Sequence, residues 1–463
     1  MSGTLRVVPG LSPSSVAVIR AHRNSQGQVV RLSAIDQIAP RDYISTCFFF
    51  RHSPDADKEQ IFLALHRALL VTVNDIPELT CCVQKRIDSS REEVELVFDS
   101  ARGVEIYYKD YNSAQLCGLW TYGNFDQLEE EHFPHSKIPR SLVFGPSSEL
   151  KDNVKLPSLI VQASFIPGGL IIGSQLHLLD RHDVVKGDLN TTLEEFPNWK
   201  MAEDKDKFLN PTDYSSDEVF ESAIYFIPAD KIALLKTRIL STMPSTTKAG
   251  TVTALCAFLW RHVVLARDID CRKYPDAKLA ITVDARTRME SPVIPSTYWG
   301  NFAEPNAVAQ LSVASLQEGS VLSSLPSRNC KSTIYGQAAL NVQRAIAAVD
   351  DKAVRRLVGL LNQMPKSTTL TWNANRYPGP DMLIVCIQHH GYNDISFGKD
   401  LGYPLATRVT VGDTEDKPDG RCLILPPRRA DSRGLEISLQ YDTRTLQNLK
   451  DNVEFSEYFT RRN

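Results

Sequence analysis

Two short stretches concentrate the side chains that could move a proton or grip a small molecule. In "GSQLHLLDRHDVVKG" (173–187), His177 is followed by Asp180, Arg181, His182 and Asp183. An imidazole titrates near neutrality and can take a proton from an attacking hydroxyl or amine. A neighbouring aspartate can orient it, and an arginine can neutralise that aspartate. In "CIQHHGYNDISFG" (386–398), Cys386, His389, His390 and Ser396 gather after an apolar strand. Neither spacing supplies a third metal ligand, so no metal centre is expected. The chain also lacks a GxGxxG turn, a phosphate-binding Walker loop, HExxH and GxSxG. Alone, each cluster is more often a strand end or loop with solvated side chains than a site.

The elements that must position these residues are legible from periodicity. "PSLIVQASFIPGGLIIGSQLHLL" reads as two buried strands joined by a turn at Pro167, Gly168 and Gly169, so a strand delivers His177. Alternation puts His177 on one face with Gln175, and Leu178 on the other with Leu176 and Ser174. "DADKEQIFLALHRALLVTVNDIPEL" predicts a helix with Asp55 and Asp57 near its start, an Ile61–Leu65–Ala68–Leu69–Thr72 stripe, and Pro77 closing it. "EEVELVFD" and "GVEIYYKDY" predict strands around an Arg-Gly turn. "TALCAFLWRHVVLA" predicts a buried helix, and "KLAITVDARTRM", "DMLIVCIQ", "LATRVTV" and "GRCLILPP" predict strands. In "GLEISLQYDTRTLQNLKDN", Leu435, Ile437, Leu439 and Tyr441 alternate before Asp442, a helix N-cap.

The stretch 183–217 is polar and poor in aliphatics, as a crossover would be. Mixed strands and helices on either side of it predict an α/β or α+β protein of two domains, 1–195 and 218–463, joined by a crossover over 196–217. For 463 residues, a 42% apolar and 23% charged composition is that of an ordinary globular protein. A net charge of −3 gives no basis for a nucleic-acid or membrane-surface partner. No apolar run reaches membrane-spanning length, and the N-terminal stretch has no secretory core. Nine cysteines without CxxC pairs suit reduced thiols, so a cytoplasmic location is expected, and the protein is taken to be a monomer.

Taken in order, several segments resemble the fungal branch of the BAHD acyltransferases, which use CoA thioesters. They are "LSAIDQIAPRDYI", "QASFIPGGLIIGSQLH", "TALCAFLWR", "VDARTR", "YWGN", "DISFGKDLGYPLATR" and the closing "LILPPRRADSRGLEISLQYDTRTLQNLKDNVEF". The likeness runs over roughly residues 30 to 457. It implies two similar-sized domains of the chloramphenicol-acetyltransferase type with a channel between them. It also implies no permanently bound cofactor and an acyl-CoA as co-substrate. In the family, a His in HxxxD is the general base, and an Arg placed like Arg286 pairs with the motif Asp.

Against that pattern both motifs look altered. Aligned on Gly168 and Gly169, Leu178 takes the place of the catalytic His, and His182 that of the Asp. One residue of sliding makes His177 the base but sets Arg181 where Asp belongs. Ser396 replaces the Asp of the DFGWG-type motif, and Cys386-Ile387 replaces a Ser/Thr-Trp pair. The landmarks Trp260, Arg286, Tyr298, Gly300 and Asn301 persist.

Three functions stay open on this reading. The first is acyl transfer from acyl-CoA to a hydroxyl or amine of a small natural product by a rewired site. The second is a CoA-independent condensation or cyclisation of a polyketide, terpenoid or alkaloid intermediate. The third is a binding protein without catalysis. The resemblance makes His177, His182 and Asp183 the catalytic candidates, with His177 foremost because a rigid strand delivers it. Cys386, His389, His390 and Ser396 are the substrate-binding candidates. Asp180 and Arg286 are supports, Arg286 being expected to pair with Asp180 or Asp183.

Overall fold

A computed structural model describes residues 11–20, 27–38, 43–53, 55–86, 93–146, 150–151, 153–177, 185–202, 219–244, 250–295, 298, 302, 307–318, 333–364, 369–411, 420–431 and 433–463. Apolar side chains at alternating or helical spacing build two main sheets. The first has six strands in the order Ser14–Ile19, Val104–Asp110, Leu159–Ile166, Gly169–Leu176, Ile44–Arg51 and Ala406–Val411. The second has seven: Ala307–Ser312, Asp276–Ile281, Met382–Cys386, Arg421–Ile424, Leu435–Asp442, Phe220–Ile227 and Thr460–Arg461. The class is therefore mixed α/β, as the element pattern predicts, with one large sheet in each half.

The central hairpin forms as its sequence dictates. Ile166 pairs with Gly169 across Pro167-Gly168. Gly168 sits at φ +81°, which disfavours a side chain, and a Cβ on Gly169 would lie 1.9 Å from the Phe125 ring. Helix Lys58–Asp75 starts directly after the acidic pair, as its sequence suggests. Its cap is Asp57, whose carboxylate accepts from Gln60 N at 3.0 Å. Pro77 opens a short 3₁₀ turn after it. Asp442 caps its helix through Thr445 N at 2.9 Å. Helix Thr251–Ala266 is buried nearly all round, with Trp260 inside the core of the second half.

Two placements differ from the sequence reading. Val94–Val97 and Val104–Asp110 flank the Arg-Gly turn but join different sheets, the former pairing with Cys82–Lys85 in a small four-stranded sheet. A local pattern cannot say which partner a strand finds. Strand Ala406–Val411 leaves the second half and pairs antiparallel with Ile44–Arg51, becoming the edge of the first sheet. In the stretch read as a crossover, Trp199–Ala202 pairs with Thr369–Trp372. Among the described residues, no helix is long and apolar enough to cross a membrane.

Candidate active site

Of the two clusters, the second lies where the sheets meet, Tyr392 packing against Phe48 and Asn393 against Thr407. Strand Gly169–Leu176 is locked between Leu159–Ile166 and Ile44–Arg51 over its whole length. Gly173 lets the short helix Arg140–Val143 press onto it, since a Cβ there would stand 2.3 Å from Val143 O. Alternation holds: Gln175 faces Ser45 across the ladder, both fully buried. His177 continues past the strand end, its N–H donating to Ser158 O at 3.1 Å. Its imidazole lies against the Tyr43 ring at 3.9 Å, and the Tyr43 hydroxyl donates to Pro157 O at 2.6 Å. Tyr43 packs with Leu156 and Ile160 inside the first half. His177 is thus only 5% exposed. Asp180, Arg181, His182 and Asp183 lie outside the described residues, as does Leu178.

The second cluster is set by parallel pairing. Asp276–Ile281, Met382–Cys386 and Arg421–Ile424 run the same way, so their C-terminal ends open on one edge. Such an edge is where open α/β sheets bind ligands. Asp284 and Arg286 follow the first strand, and Gln388, His389 and His390 follow the second. Cys386 is half-buried, and burial pushes its thiol pKa up, leaving it an inert neutral group. His389 Nε2 meets Gln388 Nε2 at 2.9 Å; His390 Nδ1 lies 3.3 Å from the Tyr392 hydroxyl. Gly391 takes the left-handed conformation that turns the loop, at φ +64°.

The loop then plugs into the first half. Asn393 is buried; its amide donates to Pro427 O at 3.1 Å and accepts from Thr407 Oγ1 at 2.7 Å. Phe397 packs against Phe50 and Phe48, at 4.8 and 5.5 Å between rings. Ser396 is exposed, its hydroxyl only accepting from Gly398 N at 3.3 Å. Phe397 is thus an apolar anchor between the halves, and Ser396 is left at the surface.

Arg286 is part-exposed where a buried side chain was expected, and it forks onto Asp284, with Nη2 2.6 Å from Oδ2; its expected partners Asp180 and Asp183 lie outside the described residues. Its Nη1 also donates to Tyr298 O at 3.4 Å. The need that pointed to Asp180 or Asp183, an uncompensated buried guanidinium, is met two residues away. Burial works to raise the Asp284 carboxyl, but Arg286 holds it below the usual carboxylate range.

A third cluster escaped the sequence reading. Arg408, on the strand that crosses between halves, donates to Glu436 Oε2 at 2.9 Å. It also donates to Phe133 O at 3.0 Å and His132 O at 2.6 Å. His132 and Phe133 are both left-handed, at φ +60° and +53°, and the guanidinium clamps their carbonyls. Arg462 bridges Glu436 and Asp431 at 2.7 and 2.8 Å. Burial would raise the Glu436 carboxyl, but Arg408, Arg428 and Arg462 outweigh it and hold it at about 2. Nearby, His135 Nε2 meets Ser438 Oγ at 3.3 Å, tying the two halves. Burial, helped by Arg408, pushes the His135 pKa down to about 3, so its imidazole stays neutral. The available signal was a charge at an inward position of an apolar strand, in "LATRVTV" and "GLEISLQY".

Two mixed sheets, joined by an exchanged strand, and a histidine-bearing seam define a mixed α/β architecture. The transferase family model matches residues 178–456. The chain belongs to that family, the BAHD acyltransferases. It is 26% identical to the acyltransferase easC of Emericella nidulans, over 93% of this chain and 95% of that protein. It is also 26% identical to the acyltransferase cm3D of Cordyceps militaris, over 93% of this chain and 96% of that protein. The fold superposes on F. graminearum TRI101 complexed with coenzyme A and T-2 mycotoxin, with TM-score 0.76, 16% identity, and coverage of 94% of this chain and 100% of that one.

Proposed function

We propose that the protein transfers an acyl group from an acyl-CoA to a hydroxyl or amine of a small natural product, at a rewired histidine site on the seam. The observation that carries this is full-length similarity to fungal acyltransferases, on a fold whose solved relative holds coenzyme A and a mycotoxin. Acyl-CoA is then a co-substrate rather than a resident cofactor. Two domains near 1–195 and 218–463 with a channel between them, and a cytoplasmic monomer without nucleic-acid or membrane partner, complete the reading.

The chemistry requires a base for the acceptor proton and an acid for the leaving thiol, roles one imidazole can fill in turn. The test is incubation with acetyl-CoA and a panel of hydroxylated terpenoids, polyketides and alkaloids. Thiol release matched by an acceptor gaining one acetyl group is expected. Conversion of an intermediate without any acyl-CoA would replace this reading with the CoA-independent cyclisation.

A further inference from the structure

We propose that His390 is the proton-transfer residue of this acyl transfer, with Tyr392 fixing its ring and Asp284 supplying the adjacent negative charge. This rests on the acyltransferase reading above. The acceptor's O–H or N–H proton passes to Nε2 as its oxygen or nitrogen bonds to the thioester carbonyl carbon. The tetrahedral intermediate then expels sulfur, the C–S bond breaks, and Nε2–H returns the proton to give the CoA thiol.

Four observations converge on His390 rather than His177. The first is access: His390 is exposed, whereas His177 is enclosed against Tyr43. The second is orientation. Nδ1 is held at 3.3 Å by the Tyr392 hydroxyl, and Nε2 has no hydrogen-bond partner among the described residues. A base at Nε2 requires Nδ1–H to donate to the Tyr392 oxygen, and burial keeps that phenol neutral by raising its pKa. The third is location. Tyr392 meets Phe48 of the first sheet edge-on at 6.0 Å, so the imidazole stands on the seam, at the end of a parallel strand. The backbone is also fixed there, His390 N donating to Ile387 O at 3.1 Å.

The fourth is electrostatic. Exposed at one edge, the ring is partly desolvated by its neighbours, which lowers the His390 pKa; Asp284 opposes that, while Arg286 and His389 reinforce it. That direction favours the neutral imidazole, the form able to accept a proton. When it does, the Asp284 carboxylate across the strand ends stabilises the imidazolium, as an orienting carboxylate does in other histidine sites. Leu178 at the family's usual position has no proton to move, and His390 replaces that function from the opposite half.

The probe is acetyl-CoA, with water as the acceptor and thiol release as the readout, on wild type, His390→Gln, His177→Gln and Tyr392→Phe. A melting shift with acetyl-CoA reports binding separately for each. The expected result is a loss of about 10²-fold or more in His390→Gln with the acetyl-CoA melting shift kept. The rate of wild type falls on the acid side of its pH profile, that limb moves in Tyr392→Phe and vanishes in His390→Gln. A rate within a fewfold of wild type in His390→Gln overturns the inference. So does loss in His177→Gln alone, or a wild type that binds acetyl-CoA without accelerating its hydrolysis. If acetyl-CoA does not bind wild type at all, the acyltransferase reading itself fails.

Discussion

Strand Ala406–Val411 carries polar groups to two contrasting neighbourhoods. On one face, Arg408 and Glu436 are each 1% exposed and fully engaged with Arg462, Asp431 and two clamped carbonyls. On the other, Thr407 holds Asn393 and through it the loop bearing His390, whose charged neighbours Asp284 and Arg286 are 48% and 35% exposed. Both clusters join acids to arginines at the meeting of the sheets. They differ in what is left over. The buried one has every charged group engaged in an ion pair or hydrogen bond and serves to hold the halves in register. The open one keeps an imidazole nitrogen unused, which is the condition for chemistry.

The contrast is broken most severely by Glu436→Gln. It leaves three guanidinium groups around a neutral amide in a water-poor setting, and losing one partner of a buried network costs about 3–5 kcal/mol. Urea unfolding should show that loss, and a value below about 1 kcal/mol would mean the network is no lock. The carboxyl also predicts acid sensitivity. Its pKa is depressed on folding, so the stability it lends is present above the ordinary glutamate range and is lost as pH falls from there towards about 2.

A smaller effect tests the same seam from the histidine side. Folding lowers the His135 pKa from 6.5 to about 3. The unfolded chain therefore binds a proton first, and stability falls as pH drops below about 6.5. His135→Gln should flatten that part of the stability profile, measured by thermal melts at several pH values. An unchanged slope would show that the ring is not shielded as its contacts indicate.

The smallest effect belongs to the open cluster. Asp284→Asn should cost less than ~1 kcal/mol of stability, because part-exposed ion pairs contribute little. If it unfolds the protein as Glu436→Gln does, the two clusters are not different in kind.

How far each cluster was legible follows the same division. The hairpin and its delivery of His177 could be read because period-2 alternation and the Pro-Gly-Gly turn are local signals. The face on which His177 falls was readable too, since alternation set it beside Gln175. That this face closes against Tyr43 was not readable, because Tyr43 lies far away in sequence on another strand. The pairing of Arg286 with Asp284, two residues upstream, is a local one that the family pattern did not point to. Arg408 and Glu436 went unnoticed because neither carries a motif. Their meaning depends on a strand changing sheets, which no local pattern announces.

The central claim is that this seam works on an acyl-CoA, and the melting temperature with and without acetyl-CoA tests it most directly. At about 100 times the dissociation constant, a ligand that binds only the folded protein stabilises it by roughly 2.7 kcal/mol. The account predicts a rise that grows with acetyl-CoA concentration and persists in His390→Gln. A melting temperature that stays flat up to saturating acetyl-CoA would contradict it.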